Sequence, residues 1–296
     1  MSRAGARGRA ALALAILAVS TAAPLVRLAP DADPLRLAFW RLALAGALVA
    51  VVLRPRGLLS PRAWRWGGVA GVLLAVHFGA WFWSLRLTSV ASSVTLVTTA
   101  PLFAAVIAPR WLGDRTSPRL WVGALAALAG VALIAHADGR AGGGSDPLLG
   151  DALALLAAGA GSVYLLIGRR VRAEVEVEAQ VAMTCLAGAA ALAVAVVASG
   201  QGLAPASMRV GLVALALALG PHLTGHGLLN VAVRHRPAQE VQLALLGEPV
   251  LSSILAALLF AEWPHASFYP GGALVLGGLA IGLSGAPAPA ATEPHA

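Results

Sequence analysis

The sequence predicts an all-α polytopic membrane protein of ten transmembrane helices, arranged as two inverted five-helix repeats. Three observations carry that expectation. Of 296 residues, 59% are hydrophobic and only 11% charged, whereas about a quarter of a soluble chain is charged. The apolar residues gather into blocks of near membrane-spanning length. The second half of the chain also repeats landmarks of the first at one constant offset.

Ten apolar blocks run over 10–29, 35–53, 67–87, 89–112, 118–136, 150–168, 179–198, 209–233, 239–261 and 267–285. Residues 1–9 form a short arginine-bearing tail, with the layout of a secretory leader once the first block is added. Nine further spans favour an uncleaved first helix. The third and fourth blocks are separated only by the stretch from Arg86 to Ser89, which demands a tight turn. Residues 137–149 are glycine-rich and read as a flexible linker between a first repeat, 10–136, and a second, 150–285. The tail 286–296, APAPAATEPHA, has the composition of a disordered cytoplasmic segment.

Arginine placement orients the spans. All 21 basic residues are arginine. With the N-terminus inside, fifteen of them fall on inside connections, five outside, and Arg41 lies within the second span. Such a bias predicts both termini in the cytoplasm of a cell whose inner membrane holds the chain. The arginines therefore read as topology signals in a lipid bilayer. No nucleic-acid partner is expected from them. Cys185 is the single cysteine, so no intramolecular disulfide is possible, and its apolar block suggests plain packing.

At an offset of 148, Pro101 falls on Pro249, Asp114 on Glu262, Gly123 on Gly271, Gly130 on Gly278 and Arg86 on Arg234. Each half holds five spans, an odd number, so the copies must lie inverted. Inverted repeats with a site at their interface are the architecture of alternating-access transporters.

Polar groups inside a bilayer are costly and usually face the bundle interior. His222, His226 and Asn230 follow one another at four-residue spacing, which puts them on one face of a helix. His77 lies in the equivalent span of the first repeat, with Trp81 one turn later. Glu248 stands before Pro249 in the ninth span, next to a predicted helix bend. These residues, with Thr98, are the candidates for substrate binding or proton coupling. Arg41 is the candidate structural partner of Glu248. Pro101, Gly220, Pro221 and Pro249 are candidates for local helix flexibility. Imidazole both donates and accepts hydrogen bonds, so the histidines suit either a polar ligand or contacts between helices.

The ordered set of stretches DPLRLAFWRLALAGALV, LAVHFGAWFWSLRLTSVASS, TTAPLFAAV, LWVGALAALAGVALI, GDALALLAAGAGSVYLLIGRR, HGLLNVAVRHRPA, LLGEPVLSSILAALLFAE and GGALVLGGLAIG resembles the EamA-type branch of the drug/metabolite transporter superfamily. The resemblance covers about residues 10–285. Two departures stand out: Asp114 replaces the usual glutamate, and the first span lacks the usual tryptophan and asparagine. The resemblance implies ten helices around a central cavity, open alternately to each side, that moves small metabolites, often outward.

The expected function is a secondary active transporter of amino-acid-like or drug-like solutes, with protons a candidate coupling ion and a second copy of the chain a candidate partner. An intramembrane histidine-dependent enzyme is the first alternative. His222-x-x-x-His226 has metal-ligand spacing, but Leu223 stands where a zinc protease has glutamate, so no metal and no catalytic residues are expected. A non-transporting membrane scaffold is the second. No nucleotide-binding loop occurs, and no cofactor is expected.

Overall fold

The computed structural model describes residues 3–29, 31–58, 60–88, 93, 96–113, 117–138, 145–171, 174–260 and 268–284. Among them the chain is helical throughout, with no strand. Six helices are long and apolar enough to cross a membrane, and three shorter apolar ones accompany them. Asp114, Thr95 and residues 139–144 of the linker lie outside the described residues.

The elements follow the order of the apolar blocks. Helix α1 spans Arg3–Val19 and continues, after a kink, as Ala22–Arg27. At the kink Ser20 and Thr21 donate their hydroxyls to the carbonyls of Ile16 and Ala18, both at 2.7 Å, a side-chain competition that bends helices. Helix α2, Pro34–Leu48, starts on an Asp33 cap and ends in a π turn at Val49–Leu53. Helix α3, Pro61–Leu87, starts on Ser60, again with proline at its first position, where no N–H is needed. Helix α4 is Ala100–Trp111, α5 Pro118–Asp138, α6 Pro147–Arg170 and α7 Val177–Ala198.

Helix α8 is irregular around Gly220 and Pro221. It is α-helical over Met208–Leu217 and Gly227–His235, but Ala218–His226 between them is π-helical. Pro221 has no N–H to offer the carbonyl one turn back, and Gly220 beside it lowers the cost of widening the turn. Helix α9 runs Ala238–Ala244, tightens to a 3-10 turn at Leu245–Gly247, and resumes as Glu248–Phe260. Helix α10 is Phe268–Ser284.

The packing reveals the inverted symmetry directly. Helix α3 lies against α6 and α7, and α8 lies correspondingly against α1 and α2. Helices α2 and α7, α4 and α9, and α5 and α10 each pack against their own repeat equivalents. In the last pair the backbones nearly touch. A Cβ on Gly130 would sit 2.5 Å from the Gly271 carbonyl oxygen, and one on Gly278 would sit 2.5 Å from that of Gly123. The two contacts exchange under the offset of 148. The position rises on α5 as it falls on α10, so equivalent helices run antiparallel. That is the geometry of two inverted repeats about a two-fold axis.

Candidate functional site

The polar residues of the apolar spans converge where α2, α3, α6, α7 and α8 meet. Their local causes differ. His77 on α3 reaches across to α6, where its Nδ1 lies 2.8 Å from the carbonyl oxygen of Ala157. Gly161, one turn further along α6, makes this possible, since a Cβ there would lie 2.6 Å from the same Nδ1. Trp81 stacks on His77 with ring centroids 6.4 Å apart.

On α8 the ladder keeps its common face in spite of the π turn. His222 and His226 stack at 5.1 Å with planes 19° apart. Cys185 on α7 is packed among apolar residues, as its sequence context suggests, and its Sγ also lies 3.0 Å from the Nε2 of His222. The sequence pattern could not show this, because contact between α7 and α8 depends on how the repeats dock. Asn230 donates from Nδ2 to the Tyr164 hydroxyl at 2.6 Å and to the His226 carbonyl at 2.8 Å. Tyr164 on α6 thereby joins the site, although its sequence context carried little signal.

Arg41 on α2 lies at the centre. It is 2% exposed, with its guanidinium carbon 4.3 Å from the centroid of the Phe78 ring. Phe78 in turn packs on His226 and His222 with centroids 5.8 and 6.2 Å away. Arg41 is in electrostatic reach of Glu248, Cys185, Tyr164 and the three histidines. Among the described residues it forms no ion pair closer than 4.0 Å. A direct Arg41–Glu248 bridge, the structural alternative for Glu248, is therefore absent from the described contacts. Glu248 itself opens the second segment of α9, directly after the 3-10 turn.

Several buried polar atoms here have no hydrogen-bond partner among the described residues: Arg41 Nε, Trp81 Nε1, His222 Nδ1, His226 Nδ1 and Asn230 Oδ1. Gln180 Nε2 and Thr184 Oγ1 on α7 share this condition. Sequence reasoning missed both, although their four-residue spacing was the signal that found the histidines. Folded chains satisfy nearly all buried polar groups internally. The concentration of unsatisfied ones at one helix junction makes it the candidate site. Among the described residues no group of three or more metal-binding side chains assembles, so the His222–His226 pair lacks further ligands there. Thr99 donates to the Leu96 carbonyl at 2.6 Å, a bond to its own backbone. Thr98 and Pro101 lie at the start of α4, and the Pro249 side chain is not described.

The two ends of the α2–α7 contact differ. At one end Arg36 donates to the Ala204 carbonyl at 3.2 Å and to Gln201 Oε1 at 3.4 Å. Gln201 Nε2 donates to Asp33 at 3.0 Å, and Trp40 Nε1 to the Leu203 carbonyl at 2.7 Å. At the symmetry-related end, Leu53, Arg54, Pro55 and Arg56 face Glu176, Val177 and Glu178 across a groove of about 660 Å³ that Arg234 completes.

Comparison with known proteins agrees with this geometry. The model of the EamA-like transporter family matches twice, over residues 7–136 and 148–283. The chain belongs to the EamA-like transporter family. It is a multi-pass membrane protein. A Bacillus subtilis (strain 168) protein described as the uncharacterized transporter YdfC is 27% identical over 184 residues, 62% of this chain. The match spans 59% of that relative's length. One solved crystal structure superposes with a TM-score of 0.80 at 26% identity, covering 93% of this chain and 95% of that one.

Proposed function

We propose that this EamA-family member is a secondary transporter of small amino-acid-like or drug-like solutes, exporting them by rocking its inverted halves. The observation that carries the reading is the unequal pair of ends. One contact between α2 and the α7–α8 connection is latched by four hydrogen bonds, while its symmetry mate is an open groove. A chain built of two inverted copies can exchange those conditions, closing the groove and opening the latch at little net cost. The buried cluster between the ends is where a solute would be held during the exchange.

In this reading the groove faces the cytoplasm, both termini lie inside, and the membrane is the inner one, as the arginine bias favours. Glu248, at the helix break in α9, is the coupling carboxylate. Any energy comes from ion or solute gradients. The test is uptake into proteoliposomes with a panel of amino acids, nucleobases and cationic drugs at pH 6 and pH 8. Transport of a panel member, with its pH dependence abolished by Glu248→Gln, is expected. A pH profile identical to wild type would remove Glu248 from the coupling role.

A further inference from the structure

Arg41 poses a problem of charge. A guanidinium is always protonated, and holding one inside a helix bundle in a bilayer is costly unless an anion faces it. Its Nε has no hydrogen-bond partner, and among the described residues no carboxylate approaches within 4.0 Å. The Phe78 ring at 4.3 Å returns only part of the lost hydration. Glu248 is in electrostatic reach but makes no direct contact. Arg41 is therefore fixed on one side by an aromatic face and unbonded along the edge where its fork of donors would meet an anion.

The charge balance limits what that anion can be. One arginine and one carboxylate are the groups of formal charge in electrostatic contact here, and the rest are amides, hydroxyls and imidazoles. A phosphate dianion would meet one cation and be repelled by Glu248. A carboxylate matches the planar fork and brings a single charge. The neighbouring surface is ring-lined: Phe78, His77 stacked on Trp81, and His226 stacked on His222. Trp81 Nε1 and His226 Nδ1 remain free to bond polar atoms on a ring.

We propose that Arg41 anchors the carboxylate of the transported solute, and that the solute carries a flat ring seated against Trp81 and His226. In the absence of solute, Glu248 is the distant counter-charge that the solute's carboxylate outcompetes. The proposal rests on the transporter reading and sharpens its substrate class.

The experiment uses the full chain purified in detergent and reads its melting temperature with phenylacetate, phenylacetamide, indole-3-acetate, indole-3-acetamide and acetate. At about ten times its dissociation constant, a ring acid should raise the melting temperature by about 3 °C, with the matching amides and acetate near zero. Arg41→Met should abolish the shift while melting close to wild type without ligand, since among the described residues Arg41 has no hydrogen bond and no ion pair within 4.0 Å to lose and methionine keeps the packing on Phe78. Arg41→Lys keeps the charge but not the fork and should lose most of the shift. Glu248→Gln removes the competing anion and should enlarge it. No acid-dependent shift in wild type, an equal shift from the amides, or an unliganded Arg41→Met protein melting more than about 5 °C lower would each overturn the proposal. Flux in proteoliposomes separates the two readings. Acid binding without flux removes transport and leaves the anchor, whereas undiminished flux of the same acid by Arg41→Met removes the anchor and leaves transport.

Discussion

Helices α5 and α10 keep the internal symmetry of this protein, and helices α3 and α8 break it. Across α5 and α10 the contact of Gly130 with Gly271 is repeated by that of Gly278 with Gly123, with no buried polar side chain among the described residues of the two helices. Helix α3 is regular along its length, whereas α8 widens into a π turn over Ala218–His226. His77 on α3 has a backbone partner on α6, while its equivalent on α8, His226, has an unpartnered Nδ1. The difference separates two jobs. A close glycine crossing gains dispersion energy only if it stays in register, which suits it to be the pivot of the proposed rocking. A widened turn with unbonded imidazoles adds little to holding a bundle together, and it is there that the proposed solute contacts fall.

The largest effect should come from filling the pivot. Gly278→Leu drives a side chain into the Gly123 carbonyl and Ala127, and the expected outcome is little monodisperse protein on size exclusion, a loss above about 3 kcal/mol. A well-folded Gly278→Leu protein would break the comparison at its firm end. The histidines sharpen it next. Both are changed to leucine so that volume is nearly held. His77→Leu should cost about 1–2 kcal/mol in a melting experiment, because it loses the bond to Ala157. His226→Leu should stay within about 0.5 kcal/mol of wild type, or gain, since its Nδ1 has no bond to lose. Equal costs would make the two histidines the same kind of glue.

Smaller again is the effect of Pro221→Ala, which restores an N–H and lets α8 close into a regular helix. Amide exchange over 218–226 should slow by roughly tenfold by mass spectrometry. Unchanged exchange would assign the π turn to packing against α1, where Gly225 meets Val19, rather than to proline. The smallest effect belongs to the latch. Trp40→Phe removes the bond to the Leu203 carbonyl and should lower stability by about 1 kcal/mol. It should also bias the ends, making a cysteine placed at Gln201 react faster with a water-soluble maleimide. A slower reaction would reverse the assignment of the closed end.

Much of the fold was legible in advance because it depends on local pattern. Apolar runs must become helices in lipid, since only internal hydrogen bonds can satisfy their backbone. The spacing of Gly123, Gly130, Gly271 and Gly278 disclosed the repeat, and the parity of the spans disclosed its inversion. The face shared by His222, His226 and Asn230 followed from the four-residue period. Gln180 and Thr184 obey the same period and were overlooked, an omission of attention rather than of signal. The place of Tyr164 and Cys185 beside the ladder was not readable, because both lie on other helices and meet α8 only through the docking of the two halves.

The sequence by itself determined that the chain is a polytopic helical membrane protein built of two repeats, because hydrophobic period and backbone satisfaction are properties of each segment alone. Tertiary structure alone decided that His77 is bonded while His226 is not, that Arg41 rests on Phe78 without touching Glu248, and that one end is latched while the other is grooved. Those outcomes turn on distances of a few ångströms between helices far apart in the chain, set by how glycines let their backbones approach.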